Sequence, residues 1–317
     1  METSRAPSPR RFATLAAITA FLTWGLIVLG AVVRVTGSGL GCGDDWPLCN
    51  GTIFPPLDNL TAWIEWSHRL VAMSIGVFGL AMLFTVFRSH RSNRLAVGAT
   101  IVAAVLYAAQ SGIGRSVVKA NLSPTLVAFH LGTAVLLLGA LVVAATAVWH
   151  QPRQGYGRDR VTTLAYISGA LALVVILLGA MVRGGGATLA CADWPLCNGQ
   201  AAPFAQGSLA TIHMIHRYAA LALGVALLTL VWYVFQHRAT GSARRLAALA
   251  LIAYLAQVGV GAMFVFTAAA PIWGAAHVAL AAFTWALLVI LSTVESLNVA
   301  EEQTERQWNV QSGPLSR

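Results

Sequence analysis

The chain has 317 residues, of which 57% are hydrophobic and only 10% charged, with a mean hydropathy of +0.72. Soluble domains carry about 25% charged residues, so this composition excludes a soluble globular protein and leaves a polytopic membrane protein. A net charge of +9 would suggest nucleic acid in a soluble chain; here it reads as topology and contact with membrane lipid, and no nucleic-acid partner is expected.

The N-terminal METSRAPSPRR is basic and polar, and the apolar run that follows it, from Phe12 to Val33, is too long for a signal-peptide core. It is predicted to be a retained first span. Further apolar runs fall near 66–87, 95–115, 125–149, 161–182, 212–235, 246–266 and 272–294. Each is about 20 residues or slightly longer, the length a helix needs to cross hydrocarbon. The expected fold class is therefore an all-α polytopic membrane protein with eight transmembrane helices. Its expected divisions are a cytoplasmic N-terminal segment (1–11), a first four-helix repeat (12–149), a cytoplasmic linker (150–160), a second four-helix repeat (161–296) and a loose polar tail (297–317).

The division into two repeats rests on a stretch that occurs twice. RVTGSGLGCGDDWPLCNG (Arg34 to Gly51) is echoed by RGGGATLACADWPLCNG (Arg183 to Gly199), each with an arginine eight residues before a cysteine. His68 follows Cys49 by 19 residues, as His216 follows Cys197, and each is followed by an arginine, Arg69 and Arg217. Gln110 and Gln257, and His130 and His277, are offset by 147. The chain is a tandem duplication of about 148 residues.

With the N-terminus inside, Arg5, Arg10, Arg11, Arg88, Arg91, Arg94, Arg153, Arg158, Arg160, Arg238, Arg244, Arg245, Arg306 and Arg317 all fall on the cytoplasmic side, 14 of the 20 basic residues. The cysteine loops are then extracytoplasmic. The other six, Arg34, Arg69, Arg115, Lys119, Arg183 and Arg217, lie at outer helix ends, where they either snorkel to headgroups or form a ring of cations for an anionic ligand.

His90, His150 and His237 fall in inner connections and are expected to be solvated. His68, His130, His216 and His277 sit inside the even-numbered spans, at an expected common depth of about 9 Å. One histidine in a span is often a hydrogen-bonded core residue; four at one depth, two per repeat, point to function. The pairing suggests bis-histidine ligation of an iron porphyrin in each four-helix bundle, its propionates toward the outer cations. Zinc fits less well, because two histidines per repeat leave a closed site short of ligands. The halves differ at one place: Glu65 stands three residues before His68, and His213 three before His216. Glu65 either caps the helix or pairs with Arg69, or it places a carboxylate beside one haem pocket only. His213 is expected to be a neighbour of the ligands rather than a ligand. Cys42 with Cys49 and Cys191 with Cys197 are read as staples of the outer loops or as reversible thiol pairs.

Eight spans in two four-helix repeats, E-x-x-H at the start of the second, single histidines in spans four, six and eight, and paired cysteines in two outer loops together resemble the haem A synthase family, across roughly residues 12 to 295. Members oxidise the methyl group on porphyrin carbon 8 of haem O to the formyl group of haem A, by two hydroxylations and loss of water. The resemblance implies that His216 and His277 hold a resident haem b, that His68 and His130 flank the substrate haem O, and that Glu65 is catalytic. It implies a structural bridge at Cys191–Cys197 and a redox-active pair at Cys42–Cys49. It also implies a bacterial cell membrane location, an electron partner and, from the pathway alone, association with the enzyme that makes haem O. Rival readings are a di-haem b electron carrier without catalysis, an extracytoplasmic thiol-disulfide oxidoreductase with structural histidines, and a transporter.

Overall fold

The computed structural model describes residues 9–150, 157–238 and 241–311. Among them run eight helices: α1 (Pro9–Val35), α2 (Leu60–Ser89), α3 (Arg94–Lys119), α4 (Pro124–Trp149), α5 (Arg160–Gly184), α6 (Ser208–His237), α7 (Gly241–Phe266) and α8 (Pro271–Gln311). All eight are long and apolar enough to cross a membrane. The chain is a multi-pass, all-helical membrane protein.

Local chemistry sets the helix starts. Asn59 and Asn93 accept the backbone N–H of Ala62 and Ala96, and Asp159 forms a reciprocal capping box with Thr162. Proline opens α4 and α8, where its missing N–H costs no hydrogen bond. Helices α2 and α6 begin six and four residues before the apolar runs at 66 and 212, with Leu60-Thr61-Ala62-Trp63 and Ser208-Leu209-Ala210-Thr211 as their first turns. Measured along the helices, the four histidines stand within one turn of the same distance from their helix starts. His130 and His277 are about 9 Å along, His68 and His216 about 12 Å.

Helix α8 also departs from expectation. It continues to Gln311 instead of giving way to a loose tail at residue 297, because Ala-Glu-Glu-Gln and the residues after them are helix formers and the first breaker is Gly313. Arg5, Arg153 and Arg317 of the expected inner arginines lie outside the described residues.

Helices α1 to α4 close one ring of neighbours, and α5 to α8 close another. The two bundles meet where α1 packs on α8, α4 on α5 and α4 on α8. Exchanging the repeats maps these contacts onto themselves, as in a two-fold interface built from one chain. Lipid gives no hydrophobic drive for helices to associate, so close approach of small residues and interhelical hydrogen bonds carry the interface. Trp285 lies directly over Gly139 of α4, where a Cβ would come within 2.2 Å of its ring, and donates its indole N–H to the Gly169 carbonyl of α5. Trp24 of α1 donates to the Ala279 carbonyl of α8. Helices α4 and α8 are the most enclosed spans, 39% and 44% buried against 17% for α2 and α3, which places the repeat interface at the centre.

At the end opposite the cysteine loops, Arg238 is not a headgroup cation. Its guanidinium sits between Asp159 Oδ2, at 2.5 Å, and Glu295 Oε2, and Glu295 is fully buried. Of the three histidines at this end, His150 and His237 are exposed, as expected, and His90 is half-buried. His90 packs its ring on Phe12, His150 bonds Asn298, and His237 stacks on Tyr233.

Candidate functional site

Each of the four span histidines faces a glycine on the preceding helix: His68 on α2 faces Gly30 on α1, His130 on α4 faces Gly114 on α3, His216 on α6 faces Gly179 on α5, and His277 on α8 faces Gly261 on α7. A Cβ on these glycines would stand 3.1, 3.1, 3.1 and 2.8 Å from the imidazole Cε1. Each ring thus rests on bare helix backbone, and in all four Nε2 is the most distant of the three nearest ring atoms. The rings are half-buried, yet all four Nδ1 atoms are fully buried without a partner. That leaves Nε2 as the nitrogen presented to a ligand.

These residues fit an iron porphyrin. The His216 and His277 rings have centroids 6.4 Å apart. Two metal–imidazole bonds of about 2 Å, laid end to end with the radii of two rings, span about 6 Å. In the other half His130 accepts from Gln110, whose Nε2 lies 3.3 Å from His130 Nε2 and donates to the His130 carbonyl at 3.0 Å.

Glu65 is buried at 4% exposure, one turn from His68 on the same helix face. Its Oε2 accepts the Cys42 backbone N–H at 2.9 Å and its Oε1 pairs with Arg69 Nη2 at 2.5 Å. Arg69 also donates to the carbonyls of Asp45 and Leu48 at 2.8 and 2.6 Å. Glu65 and Arg69 thereby clamp the first cysteine loop to α2. Gly41 allows the closeness, since a Cβ there would lie 2.4 Å from the Thr61 backbone. In the second repeat the same frame has lost its carboxylate: Arg217 reaches the Leu196 carbonyl but meets His213 Nε2, at 3.3 Å, where Arg69 meets Glu65. His213 is buried and its Nε2 is engaged by Arg217, one turn before His216.

Cys42–Cys49 and Cys191–Cys197 are both disulfides, with all four residues fully buried. Both loops carry a cis Trp-Pro bond, at Trp46–Pro47 and Trp194–Pro195, and a left-handed Asn-Gly pair, with Asn50 and Asn198 at φ 50° and 51°. Thiol exchange needs an accessible sulfur, so this burial favours two staples over two reactive pairs.

The six loop-end cations divide into two sets. Arg69 and Arg217 are bound to the loops, and Lys119 pairs with Asp44 at 3.1 Å. Arg34, Arg115 and Arg183 have no ion-pair partner among the described residues, and the Arg34 Nε is buried and unpaired. The first set organises the cover; the second is free for an anion.

The facing glycines were not singled out from the sequence, although Gly30 and Gly179 are offset by 149 and Gly114 and Gly261 by 147. With 29 glycines in the chain, repeat spacing alone does not say which ones face a ring. Tyr107 and Tyr254 are offset by 147 as well, but the sequence does not say what their hydroxyls reach. Each crosses to the preceding helix and donates to a carbonyl, Ala72 at 3.0 Å and Ala220 at 2.7 Å, over Gly76 and Gly224.

A haem A synthase of Symbiobacterium thermophilum is 34% identical to this chain over 251 residues, covering 75% of the chain and 80% of the relative. That of Alkalihalophilus pseudofirmus is 30% identical over 276 residues, covering 85% and 93%. That of Bacillus mycoides is 28% identical over 306 residues, covering 92% and 97%. The family model for COX15-CtaA, cytochrome oxidase assembly protein, matches residues 13–60 and 58–289, a span that takes in all four facing histidines, both cysteine loops and Glu65. The chain belongs to the COX15-CtaA family of cytochrome oxidase assembly proteins.

Proposed function

We propose that this chain is a haem A synthase, a membrane oxidoreductase that converts the carbon-8 methyl group of haem O to a formyl group. The observation that carries the reading is one difference in a duplicated frame: Glu65 holds Arg69 beside His68, while His213 meets Arg217 beside His216. A symmetric electron carrier has no use for that difference.

In this reading residues 12–149 receive the substrate between His68 and His130, and residues 161–296 hold a resident haem b between His216 and His277. Haem b, when bound, supplies one-electron transfer. The chain's own residues do the rest. Arg34, Arg115 and Arg183 meet propionate carboxylates. Arg69, Arg217 and Lys119 fix the loops that close the site from water. Glu65 moves the proton: each of its oxygens has one partner and keeps a second lone pair to accept with. Arg69 and the Cys42 amide aim that carboxylate, and by themselves do not react. The arginine distribution assigns the cysteine loops to the extracytoplasmic face of a bacterial cell membrane and both termini to the cytoplasm. Association with the haem O-producing enzyme follows from shared substrate, and recovery of the chain alone from mild detergent would count against it.

The test is mass-resolved pigment analysis of the purified chain beside Glu65→Gln. Wild type is expected to carry haem b with haem O or haem A. The variant is expected to keep both sites filled but to form haem A about 10²–10⁴-fold more slowly, the usual contribution of a proton-transferring side chain, accumulating haem O or a hydroxylated form. Two equivalents of haem b in both proteins would make the chain an electron carrier and Glu65 structural.

A further inference from the structure

Two bis-histidine sites of the same construction must behave oppositely, one releasing its haem and one keeping it, and the histidine–glycine frames are too alike to explain this. The duplicated glutamines differ. Gln110 Nε2 donates to the His130 carbonyl at 3.0 Å, which fixes the orientation of the amide, since only its NH2 end can donate. The same nitrogen lies 3.3 Å from His130 Nε2, so that ring nitrogen is the acceptor of its second N–H. Gln257, 147 residues on, makes no side-chain hydrogen bond among the described residues, and the His277 ring faces His216 instead. The Gln110 Oε1 is itself buried without a partner. A half-satisfied amide in a membrane interior is dearer than an aliphatic side chain, so stability does not account for it.

One imidazole lone pair serves either an N–H donor or a metal. We propose that Gln110 competes with iron for His130 Nε2, and so makes the N-terminal site the one from which haem departs. Every turnover that ends in release returns His130 to Gln110; at the C-terminal site His277 has no such partner to return to, and its haem stays. Gln110 is a positioning residue that acts through His130, and the inference rests on the two-site reading above.

The sign of the effect separates this from a packing role. Full-length protein holding haem b is reconstituted with haem O and equilibrated against apomyoglobin, and the pigments retained are counted by mass. Gln110→Met, nearly isosteric and without a donor, is expected to hold haem O about fivefold more tightly than wild type, the factor one neutral hydrogen bond contributes. Haem b retention stays unchanged and reports an intact fold; Gln110→Leu repeats the measurement should the methionine variant fold poorly. Gln257→Met shifts neither pigment. A purely structural Gln110 gives the opposite sign, because a misplaced His130 binds more weakly, and equal or weaker haem O retention overturns the proposal. Wild type that takes up no haem O, or uptake that survives His130→Ala, defeats the two-site reading itself and the proposal with it. That failure is visible without any glutamine variant.

Discussion

At the level of single residues, the four candidate histidines were written plainly in the chain and their support was not. Four histidines at duplicated positions inside apolar runs stand out because ionisable groups are rare there. A glycine beneath each of them does not, since glycine is frequent in membrane helices. The structure supplies a control on the same helix. A Cβ on Gly261 would press to 2.8 Å of His277 Cε1, while one on Gly259 meets nothing within 4 Å. Gly261→Ala is expected to lower haem b affinity at least about tenfold, one factor of ten per 1.4 kcal/mol of misfit, and to alter the low-spin spectrum of the bound iron. Gly259→Ala is expected to leave both unchanged. Equal spectra in the two variants would mean that the glycine does not set the ring.

At the scale of elements, spans were easy to find and their ends were not. Hydropathy locates hydrocarbon-crossing segments, but the first turns of α2 and α6 mix polar and apolar residues, so the backbone rather than the pattern shows where they start. The inner ends show the same limit. Arg238 looked like one positive-inside arginine among many, yet it ties α5, α6 and α8 together through Asp159 and Glu295. Removing one partner from a buried pair leaves an uncompensated charge. Arg238→Ala is expected to destabilise the C-terminal bundle by about 3–5 kcal/mol, whereas the double change Arg238→Met with Glu295→Met recovers most of that loss; thermal unfolding in detergent measures both. In the second loop the Gly199 and Asn198 N–H groups hold the exposed Asp193 carboxyl below its usual range. A lowered folded-state value means that this tie is present at neutral pH and above the ordinary value of 3.8, and is lost as the pH falls through the folded value. Trp194 fluorescence is expected to report loosening only in acid, and Asp193→Asn should abolish that transition.

For the whole molecule, eight spans in two bundles follow from composition and internal repetition, and the arginine counts predict the sidedness. Sidedness has a direct check. In intact cells a membrane-impermeant maleimide is expected to label Leu57→Cys, at a loop position 92% exposed, and to reach Arg91→Cys only after lysis. The reverse pattern would invert the topology. The sequence alone determined the number of spans, the duplication and the inventory of histidines, cysteines and Glu65, because hydropathy and repeat spacing are properties of position along one chain. Only the tertiary structure decided that Glu65 is gripped by Arg69 and the Cys42 amide, that Arg238 is locked between carboxylates, that each histidine rests on a glycine, and that Gln110 but not Gln257 reaches a ring nitrogen. Those facts depend on distances between atoms of different helices, set by how closely the helices pack, and linear spacing does not carry that information.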